Sequence, residues 1–452
     1  MENISAVLKD NSLVLILAYV PTGLGHLRVT DALYHGLPQG VISHLLGSHD
    51  KSLQYIHRIT SIHPIARSLL EWTQTGKVED IATLYYRRFF ALRAAVLYEQ
   101  LVTILDQRIE LPQRVLIVST HFGLGHGLSE IKDRLIKEKK VKVYLAIVVT
   151  DDSPQHIWYT PGADLTFVPS ESTKRKLEQY AKKINLPAVN ICVVPYPINS
   201  TLSKELTSVQ NEDRRAQLTK NATVPIHVSI PISGAAVGLQ YFRVLIDTLY
   251  TLSNSFVFHV ITKLNSHTEN FVSDMLTRSF VKISSAEHDR EIVDKYTECY
   301  MNQVIALEVT KPSEQCFKAL INPKHRGGSI LLFSKPVGRQ EYDNLNFLTR
   351  HGLIPTVKES QKLLEKSSRD QRLVINDELD LFNEACSWRG IELPEDPALS
   401  ASFIWWCLRE GIFRKMFHGT KIHADDPNLH ELGEDGVVKI WTLISKYLQE
   451  NA

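Results

Sequence analysis

Residues 13–18, Leu-Val-Leu-Ile-Leu-Ala, followed by Gly23-Leu24-Gly25-His26, decide the fold of this chain. An unbroken apolar run leads into a glycine turn, and helical spacing begins behind it. The same order recurs at 115–118, Val-Leu-Ile-Val, followed by Gly123-Leu124-Gly125-His126. Each copy reads as a buried strand, a tight turn and a helix N-terminus. Glycine lets the backbone bend sharply and lets a ligand approach it. A helix start offers unpaired N–H groups and the positive end of a dipole. Two such turns in one half of a chain predict a parallel sheet with a ligand crevice at its strand ends.

Working outward, 143–149 (Val-Tyr-Leu-Ala-Ile-Val-Val) is continuous and rich in β-branched residues, as a strand covered on both faces requires. Similar runs occupy 165–168, 191–194, 226–230, 256–261, 303–309 and 329–333, with helical patterns between several of them, as at 172–183 and 240–252. Strands alternating with helices predict parallel sheets built from βαβ units. The sequence turns polar and charged over 201–220, and the strand pattern restarts at Val224. A joint there gives two α/β domains of similar size facing each other. The region 52–107 is helical throughout and includes Tyr85-Tyr86-Arg87-Arg88-Phe89-Phe90, then Arg93, Val96 and Leu97. It reads as a helical insertion packed on the N-terminal sheet, or as a surface meeting acyl chains and lipid phosphates. Phe403-Ile404-Trp405-Trp406 reads as core, and 437–448 as a final helix.

The chain has 452 residues, more than one ordinary core accommodates. Its 51 Lys plus Arg against 50 Asp plus Glu exert no bulk pull on nucleic acid, so no nucleic-acid partner is expected. Five scattered cysteines (Cys192, Cys299, Cys316, Cys386 and Cys407) lack metal-like spacing and suit a reducing compartment. No secretory leader and no membrane-spanning run is legible. The expected location is cytoplasmic, with the inner face of a membrane as a possible peripheral site.

Residues 148–171 read VVTDDSPQHIWYTPGADLTFVPSE. Together with Thr22-Gly23-Leu24-Gly25-His26 and Ser119-Thr120-His121, they resemble the N-terminal half of monogalactosyldiacylglycerol synthases and processive diacylglycerol glucosyltransferases. The broader group includes the glycosyltransferase that makes peptidoglycan lipid II. Residues 335–352, KPVGRQEYDNLNFLTRHG, are similar to the family's Pro-x-x-Gly-Gln-Glu-x-x-Asn-x-x-Phe-Leu segment, and 232–238, ISGAAVG, to its Gly-rich turn. The likeness spans roughly residues 14–355. It implies an α/β chain of the GT-B type: two Rossmann-like domains facing a central cleft, with metal-independent sugar transfer. On this resemblance, 1–215 form the acceptor domain, carrying the helical insertion 52–107. Residues 216–435 form the nucleotide-sugar domain, and 436–452 a helix packing back across the joint.

Sugar transfer from a nucleoside diphosphate needs the leaving diphosphate held, the anomeric carbon positioned and the acceptor hydroxyl deprotonated. For the diphosphate, the turn Ser233-Gly234-Ala235-Ala236-Val237-Gly238 offers backbone N–H groups, with Ser233, Gly234 and Gly238 as contacts; alternatively it is a simple strand-to-helix turn. By resemblance Gln340, Glu341 and Asn344 touch the donor sugar or nucleotide, and carboxamides bind hydroxyls in both senses. Their other reading is helix capping. Glu314, in Lys311-Pro312-Ser313-Glu314, stands where the family has glycines, and either binds the ribose or caps the helix that follows. For the base, His26 is the first candidate, because histidine titrates near neutrality. Its alternative role is to orient the acceptor. The family often carries an aspartate before the first turn, where this chain has Tyr19-Val20-Pro21-Thr22. Asp151 and Asp152 are the substitutes, or merely a loop cap. Gly25, His121 and His126 are candidate substrate contacts. No metal site is expected.

The expected activity is therefore transfer of a hexose from a UDP-sugar co-substrate to a lipid or other amphiphilic acceptor, with no further cofactor. Three alternatives stand beside it: a nucleotide-sugar 2-epimerase, a non-catalytic nucleotide-sugar binding protein, and a transferase with a soluble acceptor.

Overall fold

Continuous Val, Ile and Leu runs are satisfied only where helices cover both faces of a sheet. The computed structural model shows that arrangement twice. It describes residues 6–20, 24–47, 74, 76–108, 111–219, 222–232, 236–333, 338–373, 379–419 and 429–451. The chain divides into two compact units, one of Met1–Asn199 with His430–Ala452, the other Ser200–Leu429.

The first unit holds β1 (Leu13–Tyr19), β2 (Ser43–Gly47), β3 (Arg114–Ser119), β4 (Lys142–Val148), β5 (Leu165–Val168) and β6 (Asn190–Val193). They form one parallel sheet in the order β2-β1-β3-β4-β5-β6. Leu13 to Ala18 are all buried, and burial of each Leu, Val or Ile side chain among them stabilises by about 1.5–3 kcal/mol. The second unit repeats the plan with β7 (Ile226–Pro231), β8 (Phe256–Lys263), β9 (Val281–Ala286), β10 (Leu307–Thr310), β11 (Ile330–Phe333) and β12 (Gly390–Glu392). Their order is β12-β11-β10-β7-β8-β9, again all parallel. Both units are thus Rossmann-like α/β layers, as the alternation of strand and helix predicts.

Three strands carry no apolar run that the sequence announces: β2, β9 and β12. All three lie at sheet edges. β2 and β9 are partly solvated there, so their sequences lack the continuous hydrophobicity of an inner parallel strand, while β12 is buried but only three residues long.

The helices that position the sites are α1 (Leu24–His35), α2 (Gly76–Leu92), α3 (Ala94–Asp106), α4 (Phe122–Lys139), α5 (Glu171–Lys183), α6 (Ser208–Gln217), α7 (Leu239–Leu252), α8 (Asp289–Asn302), α9 (Arg339–Arg350) and α10 (Gly436–Glu450). Of the insertion expected over 52–107, the described part is α2 and α3, and residues 52–73 and 75 lie outside the described residues. The polar segment 201–220 belongs to the second unit, so the division falls at Asn199 rather than at residue 215. The cause is α6. Its fully buried Arg214 donates to the carbonyls of Pro323, His325 and Arg326 at 2.8–3.0 Å. Gln217 bridges the Val304 carbonyl and the His227 N–H. The last helix, α10, belongs to the first unit. Trp441 Nε1 donates to the Leu33 carbonyl at 3.0 Å, and Val437 Cγ1 fills the space that a Cβ on Gly36 would need. Phe403, Ile404 and Trp406 are core, as their composition suggests. Among the described residues no helix is long and apolar enough to cross a membrane.

Candidate active site

In an open parallel sheet the ligand crevice lies outside the carboxyl ends of the strands, where strand order reverses. In the first unit that point falls between β1 and β3, and it is where His26 stands. His26 Nδ1 lies 2.7 Å from the Thr120 carbonyl, just past β3, and 3.2 Å from Thr150 Oγ1, past β4. The Thr120 hydroxyl donates back to the His26 carbonyl at 3.1 Å, as does Thr30 at 2.8 Å. The two threonine hydroxyls touch at 2.8 Å. His121 meets the His26 ring edge-on, with centroids 4.7 Å apart, and Trp158 lies 6.2 Å away. His121 is buried, stacks on Phe122 and caps α4, its Nδ1 accepting from the Gly123 N–H at 3.1 Å. Sequence reasoning named His26 and His121 but not Thr30, Thr120 or Thr150. A threonine in Val-Ser-Thr-His or Val-Val-Thr-Asp carries no signal until neighbouring strands bring it beside the ring.

The second Gly-Leu-Gly-His lies elsewhere in the packing. A Cβ on Gly123 would stand 2.6 Å from the Phe90 ring of α2, and one on Gly127 2.7 Å from Leu97 of α3. These glycines are the seat of the inserted helices. His126 is buried and its Nε2 lies 2.8 Å from the Ile157 carbonyl. A carbonyl only accepts, so Nε2 carries the proton. Burial, with the Arg87 guanidinium nearby, pulls the His126 pKa down to about 4. Arg87 of α2 holds the neighbouring carbonyls of His156 and Tyr159 and lies over the Tyr180 ring. Its charge is therefore turned inward, away from any lipid surface.

Asp152 is 3% exposed. It accepts the hydroxyls of Ser170 and of Thr173, the latter at 2.8 Å, which orders the N-terminus of α5. Ser170 in turn caps that helix at the Thr173 N–H. Asp151 is half-buried beside it. Gly25 lies in the first turn of α1, next to His26.

In the second unit strand order reverses between β7 and β10. Ser233 and Gly234 lie outside the described residues. The turn is described from Ala236, which takes φ 54°, to Gly238 at φ 85°, the N-cap of α7. Gly338, at φ 100°, opens α9, and the Gln340 carboxamide folds back against it. Gln340 is half-buried, while Glu341 and Asn344 are buried. Asn344 Nδ2 donates to the Pro312 carbonyl at 3.1 Å, so it ties α9 to the loop after β10. Glu314 is half-buried at the start of the 3-10 helix Glu314–Leu320. Next to it stands Gln315, which no motif singles out. Its Oε1 accepts from the Thr310 hydroxyl at 2.8 Å, and its buried Nε2 has no hydrogen-bond partner among the described residues. An unsatisfied buried donor costs about 1–3 kcal/mol, and such a group calls for an explanation.

No protein-family model matches the chain, and no curated protein does. Solved structures align along almost its whole length. The S. aureus MnaA–UDP co-structure overlays with a TM-score of 0.48 at 10% identity, covering 97% of each chain. The UDP-GlcNAc 2-epimerase from Neisseria meningitidis, bound to UDP-GlcNAc, overlays at 0.47 and 10% identity, covering 96% of this chain and 99% of that one. A UDP-glucosyltransferase from Polygonum tinctorium overlays at 0.42 and 9% identity, covering 96% and 99%. At these values the overlays support no statement about activity. The fold rests on the two parallel sheets themselves.

Proposed function

We propose that the chain is a UDP-sugar enzyme of the GT-B type, a glycosyltransferase in which the second unit binds the donor and His26 of the first unit takes the acceptor proton. The observation that carries the reading is positional. Each sheet gathers its polar strand-end groups where strand order reverses: His26, Thr120 and Thr150 in the first, and the turn ending at Gly238 with Thr310 and Gln315 in the second. That is where parallel α/β sheets bind ligands. In this reading the N–H groups at the start of α7, with Ser233 and Gly234, hold the diphosphate. Gln340, Glu314 and the Gln315 amide meet the sugar and ribose hydroxyls, and buried Glu341 and Asn344 keep that surface in shape. His121 shapes the acceptor side. Asp151 is the substitute base; Asp152, engaged by two hydroxyls, is the weaker one.

A lipid or other amphiphilic acceptor is supported by the outer face of α2 and α3. Ile81, Leu84, Tyr85, Leu92 and Val96 are exposed, Leu92 at 78% and Tyr85 at 70%, with Arg88 and Arg93 exposed among them. Apolar side chains flanked by cations suit an anionic lipid surface, each arginine contributing about 1 kcal/mol. Leu97, Tyr98 and Arg87 do not belong to this face; they are engaged inward.

Calorimetric titration of UDP against the wild type and Gln340→Ala tests the donor site. Binding that weakens in the variant is expected, and no heat at millimolar UDP refutes the reading. Incubation with UDP-N-acetylglucosamine alone separates the transferase from the 2-epimerase alternative, because only an epimerase forms the 2-epimer without an acceptor.

A further inference from the structure

We propose that Thr120 and Thr150 are positioning residues that hold neutral His26 in the Nδ1–H tautomer, so that Nε2 is the atom that accepts the substrate proton. The inference rests on the reading of His26 as the base, and its first test does not depend on turnover.

The Thr120 carbonyl, 2.7 Å from Nδ1, has no proton to give. In a neutral ring the hydrogen of that contact must sit on Nδ1, which leaves the lone pair on Nε2. Thr150 Oγ1, 3.2 Å from the same nitrogen, is a second acceptor for that proton. Both threonines are buried. Thr120 is tied to β1 by its N–H on the Ala18 carbonyl at 3.1 Å, and Tyr196 OH donates to the Thr150 carbonyl at 3.0 Å. Thr120 grips His26 at two points. Its carbonyl takes the ring proton and its hydroxyl donates to the backbone carbonyl of residue 26, beside Thr30. The ring can neither flip nor change tautomer without breaking the 2.7 Å bond. His121, the titratable ring facing it edge-on, is in the opposite state. Its Nδ1 accepts from Gly123 N–H, so its proton lies on Nε2.

In the reaction the acceptor O–H bond breaks and its proton passes to Nε2. The oxygen keeps the electron pair and forms a bond to the anomeric carbon. The bond from that carbon to the diphosphate breaks, and its electron pair leaves with UDP. His26 is then an imidazolium whose Nδ1–H still points at the Thr120 carbonyl, so no reorganisation accompanies proton uptake. A positioned orienting group of this kind is what a general base requires.

Long-range ¹⁵N–¹H NMR on the full chain labelled with ¹⁵N-histidine, with His26 assigned by its loss in His26→Asn, reads the tautomer directly. A protonated Nδ1 with an unprotonated Nε2 is expected, and the reverse overturns the proposal. Thr150→Asp places a carboxylate against Nδ1. The midpoint of the His26 NMR titration should move to higher pH by about one to two units, because an opposite charge favours the protonated ring. The acidic limb of kcat/KM should move with it. An unmoved midpoint in a folded Thr150→Asp overturns the assignment. Thr150→Val should lower kcat roughly 3- to 10-fold, the scale of one lost hydrogen bond. Donor KM should hold, and Thr150→Ser should recover the rate. A Thr150→Val enzyme with unchanged kcat and pH profile also overturns it. Absence of turnover in the wild type refutes the transferase reading instead, and the NMR result stands apart from it.

Discussion

The two Gly-Leu-Gly-His copies are identical in sequence and stand in different surroundings. His26 stands at the reversal of strand order, with Nδ1 on a carbonyl and its ring among His121, Trp158 and Thr150. His126 is sealed beneath the inserted helices, neutral, with Nε2 on the Ile157 carbonyl. The strands are in register at Ala18 and Ser119. Gly23 follows Ala18 by five residues, and Gly123 follows Ser119 by four. One residue turns a helix by about 100°. His26 is the third residue of α1 and His126 the fifth of α4, so the two rings leave their helices on different faces. The lesson is that a short motif acquires its surroundings from where its residues fall on the helix, not from its letters.

Four measurements break or sharpen that contrast. The largest effect is expected at His26. His26→Ala should lower turnover roughly 10²–10⁴-fold, the usual contribution of a positioned base. UDP affinity by calorimetry should hold, and normal turnover removes His26 from the mechanism. The second concerns His126. Its native pKa of about 4 lies below the ordinary histidine value. Between about pH 6.5 and 4 the unfolded chain binds a proton that the native ring refuses. The stabilisation from a neutral His126 is therefore complete above about 6.5 and is lost as pH falls toward 4, by at most about 3 kcal/mol. Denaturant titrations of wild type and His126→Gln across that range should converge on acidification. Parallel pH profiles refute the sealed, neutral His126.

Next is Gly123→Val, whose branched side chain meets the Phe90 ring. Overpacking of this kind costs about 1–3 kcal/mol, and urea unfolding should show it without any change in the pH dependence of residual turnover. A variant as stable as the wild type means that α2 does not seat on this glycine. The smallest effect is expected in the second unit, at its own reversal of strand order. Gln315→Met removes a buried Nε2–H that has no partner among the described residues, and with it the Oε1 that accepts from the buried Thr310 hydroxyl. The two effects oppose each other, so stability should change by less than about 1 kcal/mol. UDP affinity should fall roughly 3- to 10-fold, the scale of one hydrogen bond to a neutral hydroxyl, and unchanged affinity removes the amide from the donor site.

Legibility in the sequence followed burial. The inner strands β1, β3, β4, β7 and β8 announced themselves because a strand covered on both faces must be apolar along its length. The edge strands β2 and β9 did not, because most of their residues are partly solvated, and β12 did not because it is only three residues long. Arg87 looked like a lipid-facing cation in a stripe of aromatics, yet it holds two carbonyls of the His156–Tyr159 turn. Helical spacing shows which residues share a face, not what that face meets. Asp152 carried the right chemistry for a base, and two hydroxyls occupy its carboxylate.

The sequence by itself determined the strand–helix alternation, the two Gly turns and the shortlist of polar groups beside them. These depend on local spacing and on the exclusion of polar residues from strands covered on both faces. Only the tertiary structure decided that Thr120 and Thr150 grip His26, that the second Gly-Leu-Gly-His is a seat for helices, and that Gln315 Nε2 has no partner among the described residues. Each of these depends on groups brought within hydrogen-bond distance from separate strands and helices, and no spacing along one strand or helix encodes that proximity.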